Sequence, residues 1–532
     1  MRTAPFSDGT PLVTQWPIPY DHFFDYEMRP DIGDAGTYTY HSHEGFQAMT
    51  AHGHLVVQDA ADPPYQYAEE EQIIIADWYT KSDEEIESAL TSTEFKWPGG
   101  PEALVLNGKS GTKSSSDGND VSCGPSIVTV KPETTYRIRW TSMAALAYTI
   151  VEIDDHTDMT IIEADGRYTK PAKIERMQLA SGQRFSTLLT TKSIDDIEAD
   201  GKGGQYWINY RTPDGPNGLL SGKALLKYET GSNNAQSEAK RANHPGRPLS
   251  PASHGGPGAG DGAGTTSNRK HGHPTAPAHG QVPGKPEVSV DDSYTTWLEY
   301  ALEPLDGEAY YPRLEEVTRT IQINLTMDRN TDGLWKFQLV FPSTPDWVSL
   351  FGGCILKYSR MNNLSWDETT FKARPGATPY LIDAYMSEKT PDYDAAMDNF
   401  GWDPNSLGFP VRIGEVIDIV WQQTNVGSRR NYDYHPMHAH GERYWDLGSG
   451  NGEYDPVANE QRFETYTPTQ RETTVLYSYN GNQGESTSAW RAWRFKVTKE
   501  NAGAWIMHCH ILHHMVMGKS LFSAWLRSPS HF

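Results

Sequence analysis

Near its end the chain reads His508-Cys509-His510-Ile511-Leu512-His513-His514. No other stretch restricts the possible folds as strongly. Side chains in a strand alternate faces with period two. His508 and His510 therefore point one way and Cys509 the other, so one backbone segment serves two sites. A thiolate with two imidazoles is the donor set of a blue electron-transfer copper. The flanking histidines then belong to a second metal site across the same backbone. An electron arriving at Cys509 is a few covalent bonds from metals held by His508 and His510. Such wiring joins one-electron donors to a multi-electron acceptor, and dioxygen is the natural acceptor because its reduction to water takes four electrons.

Two further clusters support this reading: Tyr40-His41-Ser42-His43 and His435-Pro436-Met437-His438-Ala439-His440-Gly441. Seven of the 19 histidines fall in two short segments of the last hundred residues. One His-x-His pair means little, because a strand can carry two histidines on its wet face. Three pairs, one of them enclosing a cysteine, are a different matter. Zinc is the competing metal, but structural zinc sites seldom combine a single cysteine with so many histidines from distant segments.

The rest of the chain reads as an all-β protein. Short strand-like stretches recur at Thr37–His41, His54–Val57, Gln72–Ile75, Thr135–Trp140, Gln205–Tyr210 and Ala492–Val497, separated by Gly, Pro, Asp and Asn clusters. Ser82–Leu90 reads as a helical insertion behind a capping serine. Residues 231–290 are dense in Gly, Pro, Ser, Asn and His and read as a flexible linker, with His271 and His273 part of its low complexity. A chain of 532 residues is long enough for three domains of about 150 residues.

A formal net charge of −23 argues against nucleic acid, whose phosphates require concentrated Lys and Arg. No apolar run reaches the length of a membrane span. Three cysteines, Cys123, Cys354 and Cys509, are too few for a disulfide scaffold. Cys123 and Cys354 are left paired with each other, free, or, for Cys123, separated from a partner expected upstream. Asn324-Leu-Thr and Asn363-Leu-Ser are glycosylation sequons if the chain is secreted.

The three clusters resemble the copper motifs of the multicopper oxidases, the family of laccases, ascorbate oxidases and ferroxidases. The stretches 435–455, 8–19 and 35–48 are most similar to fungal, ascomycete-type laccases and ascorbate-oxidase-like members. The resemblance implies three plastocyanin-like (cupredoxin) β-sandwich domains. The expected divisions are 1–65 for an incomplete first domain, 66–230 for the second, the linker at 231–290, and 291–532 for the third. Carried over by motif, His435, Cys509 and His514 bind the type 1 copper, and His438 the type 2 copper. His41, His43, His440, His508 and His510 bind the type 3 pair. Asp8 matches an acid that assists proton delivery to oxygen, and it also reads as a plain Asp-Gly turn. The resemblance implies oxidation of a small reducing substrate (a phenol, an ascorbate-like enediol or Fe(II)) with reduction of O2 to water. It also implies secretion. The family's first copper motif, His-Trp-His-Gly, and a secretion signal are expected upstream of Arg2.

Departures from the pattern define the rival readings. Lys519 stands ten residues after Cys509, where relatives carry an axial Met, Leu or Phe, and Met517 is a possible substitute. Met437, Glu442, His54 and Leu512 also differ from common family residues. With these departures, the alternative is a degenerate cupredoxin protein holding one copper or none. Electron transfer without oxygen chemistry is a third reading, which leaves His41, His43, His438 and His440 without a purpose. Iron as donor needs carboxylates near His435 or His514, and Glu442, Asp446, Glu453 and Asp455 are the sequence candidates.

Overall fold

The computed structural model describes residues 4–110, 124–212, 220–229, 299, 302–305, 310–329, 335–340, 378–387, 391–399, 401–403, 405–406, 408–423, 434–451, 453–477 and 489–526. The linker at 231–290, Cys123, Cys354 and the Asn363 sequon lie outside the described residues.

Strands dominate, in three groups. Gly36–His41 and His52–Val57 form a two-stranded antiparallel ribbon, with His41 opposite His52. A six-stranded and a five-stranded sheet then pack face to face across residues 69–228. A second such pair is built from strands between Arg319 and Leu526. The strand-like stretches expected from sequence are all present, as Gly36–His41, His52–Val57, Glu69–Trp78, Thr135–Ser142, Gln205–Arg211 and Ala489–Lys496.

Period-two patterning explains the first sandwich. In Gln205–Arg211 burial alternates strictly, with Tyr206, Ile208 and Tyr210 turned into the core. In Thr135–Ser142, Tyr136, Ile138 and Trp140 enter the same core. The intervening Arg137 and Arg139 would face water by that rule, yet they are 0% and 1% exposed. The ribbon lies over them. Thr37 donates its backbone N–H to Glu163 Oε1 at 2.7 Å, and Arg139 donates to Thr37 Oγ1 at 2.8 Å. Arg137 pairs with Glu163 at 2.7 Å, and Arg139 holds Glu70 with two hydrogen bonds. Burial opposes the Glu163 charge, but Arg137, the Ser186 hydroxyl and Arg139 outweigh it and hold its pKa at about 2.

The helix Asp83–Thr91 begins at the expected cap. Glu85 N–H bonds to Ser82 Oγ at 3.3 Å, and Ser82 N–H bonds back to Glu85 Oε2 at 2.9 Å. Ile86 and Leu90, four residues apart, share its inner face. They bury against Leu512, Met515 and Val516 of the short helix Leu512–Val516. The insertion thus braces the segment that carries His514.

The Asn324 sequon sits inside the third group. Asn324 is 7% exposed, on a strand paired on both sides with Trp335–Val340 and Val416–Gln423. A glycan there would have to displace formed sheet. Among the described residues no helix is long and apolar enough to cross a membrane.

Candidate metal centres

Strand Tyr434–Ala439 pairs antiparallel with Gly503–Cys509, placing His438 opposite His508 and Met437 opposite Cys509. Because faces alternate, His438 and His508 look to one side of this pair. His435, Met437 and Cys509 look to the other.

On the Cys509 side three donors converge. Cys509 Sγ lies 3.9 Å from His435 Nδ1 and 3.5 Å from His514 Nδ1, and the two Nδ1 atoms are 3.1 Å apart. All three side chains are buried. His514 arrives from the helix Leu512–Val516, one turn past the strand. A buried thiolate with two imidazoles fits copper by donor chemistry. Cys509 is in no disulfide among the described residues, so its sulfur is able to ligate a metal.

On the opposite side six histidines from three distant segments meet. Ring centroids are 5.0 Å apart for His43 and His508, 5.2 Å for His41 and His510, and 5.2 Å for His43 and His440. They are 4.9 Å apart for His438 and His440, and 5.5 Å for His438 and His510. The Nε2 atom of His508 lies 3.4 Å from that of His43 and 3.3 Å from that of His440.

Five of these Nδ1 atoms are held from outside. His438 Nδ1 meets Glu472 O and Thr473 Oγ1, each at 2.9 Å. His440 Nδ1 is 2.8 Å from Asp8 Oδ2, His510 Nδ1 is 3.1 Å from Ser181 Oγ, and His508 Nδ1 is 2.9 Å from Cys509 O. His41 Nδ1 is 2.9 Å from Ser42 O. A ring held at Nδ1 by an acceptor carries its proton there and presents Nε2 as a lone pair.

Electrostatics favour the same form. Burial, reinforced by the neighbouring imidazoles, pushes His438, His508 and His510 far below the usual histidine range, and His41 to about 3. Neutral imidazole is the ligating species. Burial opposes the Asp8 charge. His440 and the hydrogen bonds from His440 and Thr10 more than compensate, holding its pKa below the ordinary carboxylate range. Asp8 therefore does more than make a turn. It orients a cluster histidine.

Other sequence candidates are placed differently. Met517 is buried in the same apolar cluster as Phe46, Tyr79, Ile86 and Leu90. Lys519 is 1% exposed. Its backbone ties the site together, accepting from Cys509 N–H at 3.1 Å and donating to His514 O at 2.9 Å. Asp446 is buried in an ion pair with Arg491, and Asp455 caps the helix Pro456–Glu460.

Sequence reading missed Ser181, Gly182 and Glu472, which carry no metal-site signature. Gly182, at φ +78°, comes so close to the His510 ring that a Cβ would lie 2.4 Å from it. Glu472 pairs with Arg184 and Arg443, and Arg443 reaches Asp34 and Tyr38. These contacts join all three strand groups around the histidines.

The comparisons agree with this geometry. Multicopper oxidase family models match residues 1–62, 69–231 and 375–522. The multicopper oxidase aurL2 of Gibberella zeae is 42% identical over 520 residues, covering 97% of this chain and 76% of the relative. The multicopper oxidase terE of Aspergillus terreus is 34% identical, covering 97% and 88%, and an L-ascorbate oxidase of Cucumis sativus is 26% identical, covering 98% and 78%. Among solved structures, Fet3p, a multicopper oxidase that functions in iron import, aligns at TM-score 0.62 with 20% identity, covering 99% of this chain and 79% of its own. The laccase from Botrytis aclada aligns at 0.61 with 18% identity, covering 100% and 76%. The cofactor of the family is copper in type 1, type 2 and type 3 sites, and its members oxidise small-molecule substrates with O2. Two buried donor sets joined through Cys509, three matching family models and relatives above 30% identity lead to one conclusion: the chain belongs to the multicopper oxidase family and is a copper-dependent oxidoreductase built from cupredoxin domains.

Proposed function

We propose that His435, Cys509 and His514 bind the type 1 copper, His438 the type 2 copper, and His41, His43, His440, His508 and His510 the type 3 pair. When bound, copper supplies the one-electron redox steps by which four substrate oxidations are matched to reduction of one O2, with four protons, to two waters. The protein supplies the rest. The chain His508–Cys509–His510 connects the two donor sets covalently, and this is the observation that carries the reading. Asp8 keeps the His440 proton on Nδ1 and lies where it can pass protons toward the cluster. Burial lowers the proton affinity of His41, His438, His440, His508 and His510 and so keeps these imidazoles neutral.

The donor is an organic reductant of the phenol or enediol class. Beside His514, the ring of His513 packs 5.4 Å from that of Trp97, whose residue is 42% exposed. An aromatic surface of this kind suits a planar donor. Of the carboxylates considered for iron, Asp446 and Asp455 are engaged elsewhere. Secretion from a fungal cell accords with the acidic surface and with the relatives from Gibberella zeae and Aspergillus terreus.

The test is oxygen uptake by the copper-loaded protein with a methoxyphenol, ascorbate or Fe(II). Uptake with the first two, at one O2 per four electrons, is expected. Full copper loading without uptake from any donor would overturn the reading. Uptake with Fe(II) alone would replace the organic donor.

A further inference from the structure

Asp77, on the strand Glu69–Trp78, is 4% exposed and lies hundreds of residues before His435, Cys509 and His514. Its carboxylate accepts three successive backbone N–H groups: Ala145 to Oδ1 at 2.7 Å, Leu146 to Oδ2 at 2.8 Å and Ala147 to Oδ2 at 2.9 Å. The opposite ends of the same three peptide groups are the carbonyls of Ala144, Ala145 and Leu146. Each of them bonds to the metal-site side. Ala144 O accepts from Ser181 Oγ at 2.5 Å, and that oxygen meets His510 Nδ1 at 3.1 Å. Ala145 O accepts the N–H of Leu512 at 2.9 Å, between His510 and His514. Leu146 O accepts the hydroxyl of Tyr434, the neighbour of His435.

We propose that Asp77 is a positioning residue for the type 1 site, acting through these three peptide groups on the segments that carry His435, His510 and His514. The inference rests on the assignment of His435, Cys509 and His514 to one copper. A carboxylate aligns the three peptide dipoles head-on, and bonds in such a chain polarise one another. The loop at 144–147 is thereby held in one place. The His514 helix and the strand of His435 hang from its far side. Leu146 also packs in the same apolar cluster as Cys509.

Two variants test this. Asp77→Asn keeps the shape but turns an amide NH2 toward one or two of the N–H groups. Tyr434→Phe removes the outgoing bond at Leu146 and keeps the ring. Two readouts are taken on the 532-residue protein: amide hydrogen exchange of Leu512 without metal, and the position of the Cu(II)–thiolate band and the reduction potential with copper. In Asp77→Asn, Leu512 exchange about tenfold faster, with a displaced band and potential, is expected. Tyr434→Phe should displace the band in the same direction by less, with its effect shrinking when Asp77→Asn is already present. Unchanged exchange and band in Asp77→Asn, with only a lower melting temperature, would overturn the proposal. If Asp77→Asn does not fold, an unchanged band in Tyr434→Phe overturns it. If the unsubstituted protein shows no thiolate band, the copper assignment fails, and Leu512 exchange alone then decides whether Asp77 positions the segment.

Discussion

His438 stands directly opposite His508 in the antiparallel register, and the next pair along is Met437 with Cys509. One step of the pleat therefore separates the histidine cluster from the thiolate site. The first expected consequence concerns that step. Cys509→Ser changes one atom at a position 0% exposed and leaves every histidine in place. The protein should fold, lose its thiolate band, bind one copper fewer and cease oxygen uptake. Absorption, copper analysis and an oxygen electrode check this together. A retained band would mean that the thiolate comes from another cysteine.

Asp8 fixes the His440 tautomer through a 2.8 Å contact and takes a 2.7 Å hydrogen bond from Thr10. Asp8→Asn weakens that anchor and removes the carboxylate. Activity should fall about 10–100-fold, the usual effect of losing such a partner, while the thiolate band stays as it was. The comparison of turnover with the band separates a defect at the histidine cluster from one at Cys509.

At Gly182 a side chain has nowhere to go. A Cβ would lie 2.4 Å from the His510 ring, and the backbone φ is +78°. Gly182→Ala should cost about 1–3 kcal/mol for the backbone strain alone and push His510 out of line. Thermal melting of the metal-free protein, followed by copper counting, should show both effects.

Glu163 is the buried anchor of the ribbon that carries His41. It takes hydrogen bonds from Thr37 N–H, Thr37 Oγ1 and Arg137. Glu163→Ala leaves Arg137 buried without its carboxylate, at a cost of roughly 3–5 kcal/mol. The ribbon should detach before the sandwich beneath it melts. Limited proteolysis cutting first within 36–57, with loss of cluster copper, is the expected pattern.

Acid should destabilise the metal-free protein. His513 is 0% exposed, and burial lowers its pKa to about 4 from an ordinary 6.5. His41 falls to about 3 for the same reason, with His43 adding to it. The unfolded chain binds protons at these residues before the folded chain does. Stability is therefore full above pH 6.5, declines as pH falls below it, and stops declining on this account near pH 3. Urea titrations of the metal-free protein between about pH 8 and pH 4 should show the midpoint falling. A flat midpoint would place these rings in water.

The division between sequence and tertiary structure follows the range of the interactions involved. The two-faced segment at His508–His510, which ends the strand Gly503–Cys509, was legible because alternation is a property of the backbone alone. The strands at Thr135–Trp140 and Gln205–Tyr210 and the capped helix after Ser82 were legible for similar local reasons. The burial of Arg137 and Arg139 was not, because the residues that cover them, in the ribbon 36–57, lie about a hundred positions earlier in the chain. The packing of Met517 against Ile86 and Leu90 of the helix Asp83–Thr91 was not legible either, because those residues lie more than four hundred positions earlier in the chain. Ser181, Gly182, Glu472 and Asp77 carry no metal-binding signature of their own. Folding brings Ser181 and Gly182 against His510 across more than three hundred residues, sets the Glu472 carbonyl against His438, and places Asp77 one peptide group behind the contacts of these segments. The sequence by itself determined which side chains carry the candidate donor atoms and how the two donor sets are joined. Only the tertiary structure decided how those imidazoles are oriented and kept neutral, because orientation and burial come from groups that become neighbours only when the chain packs.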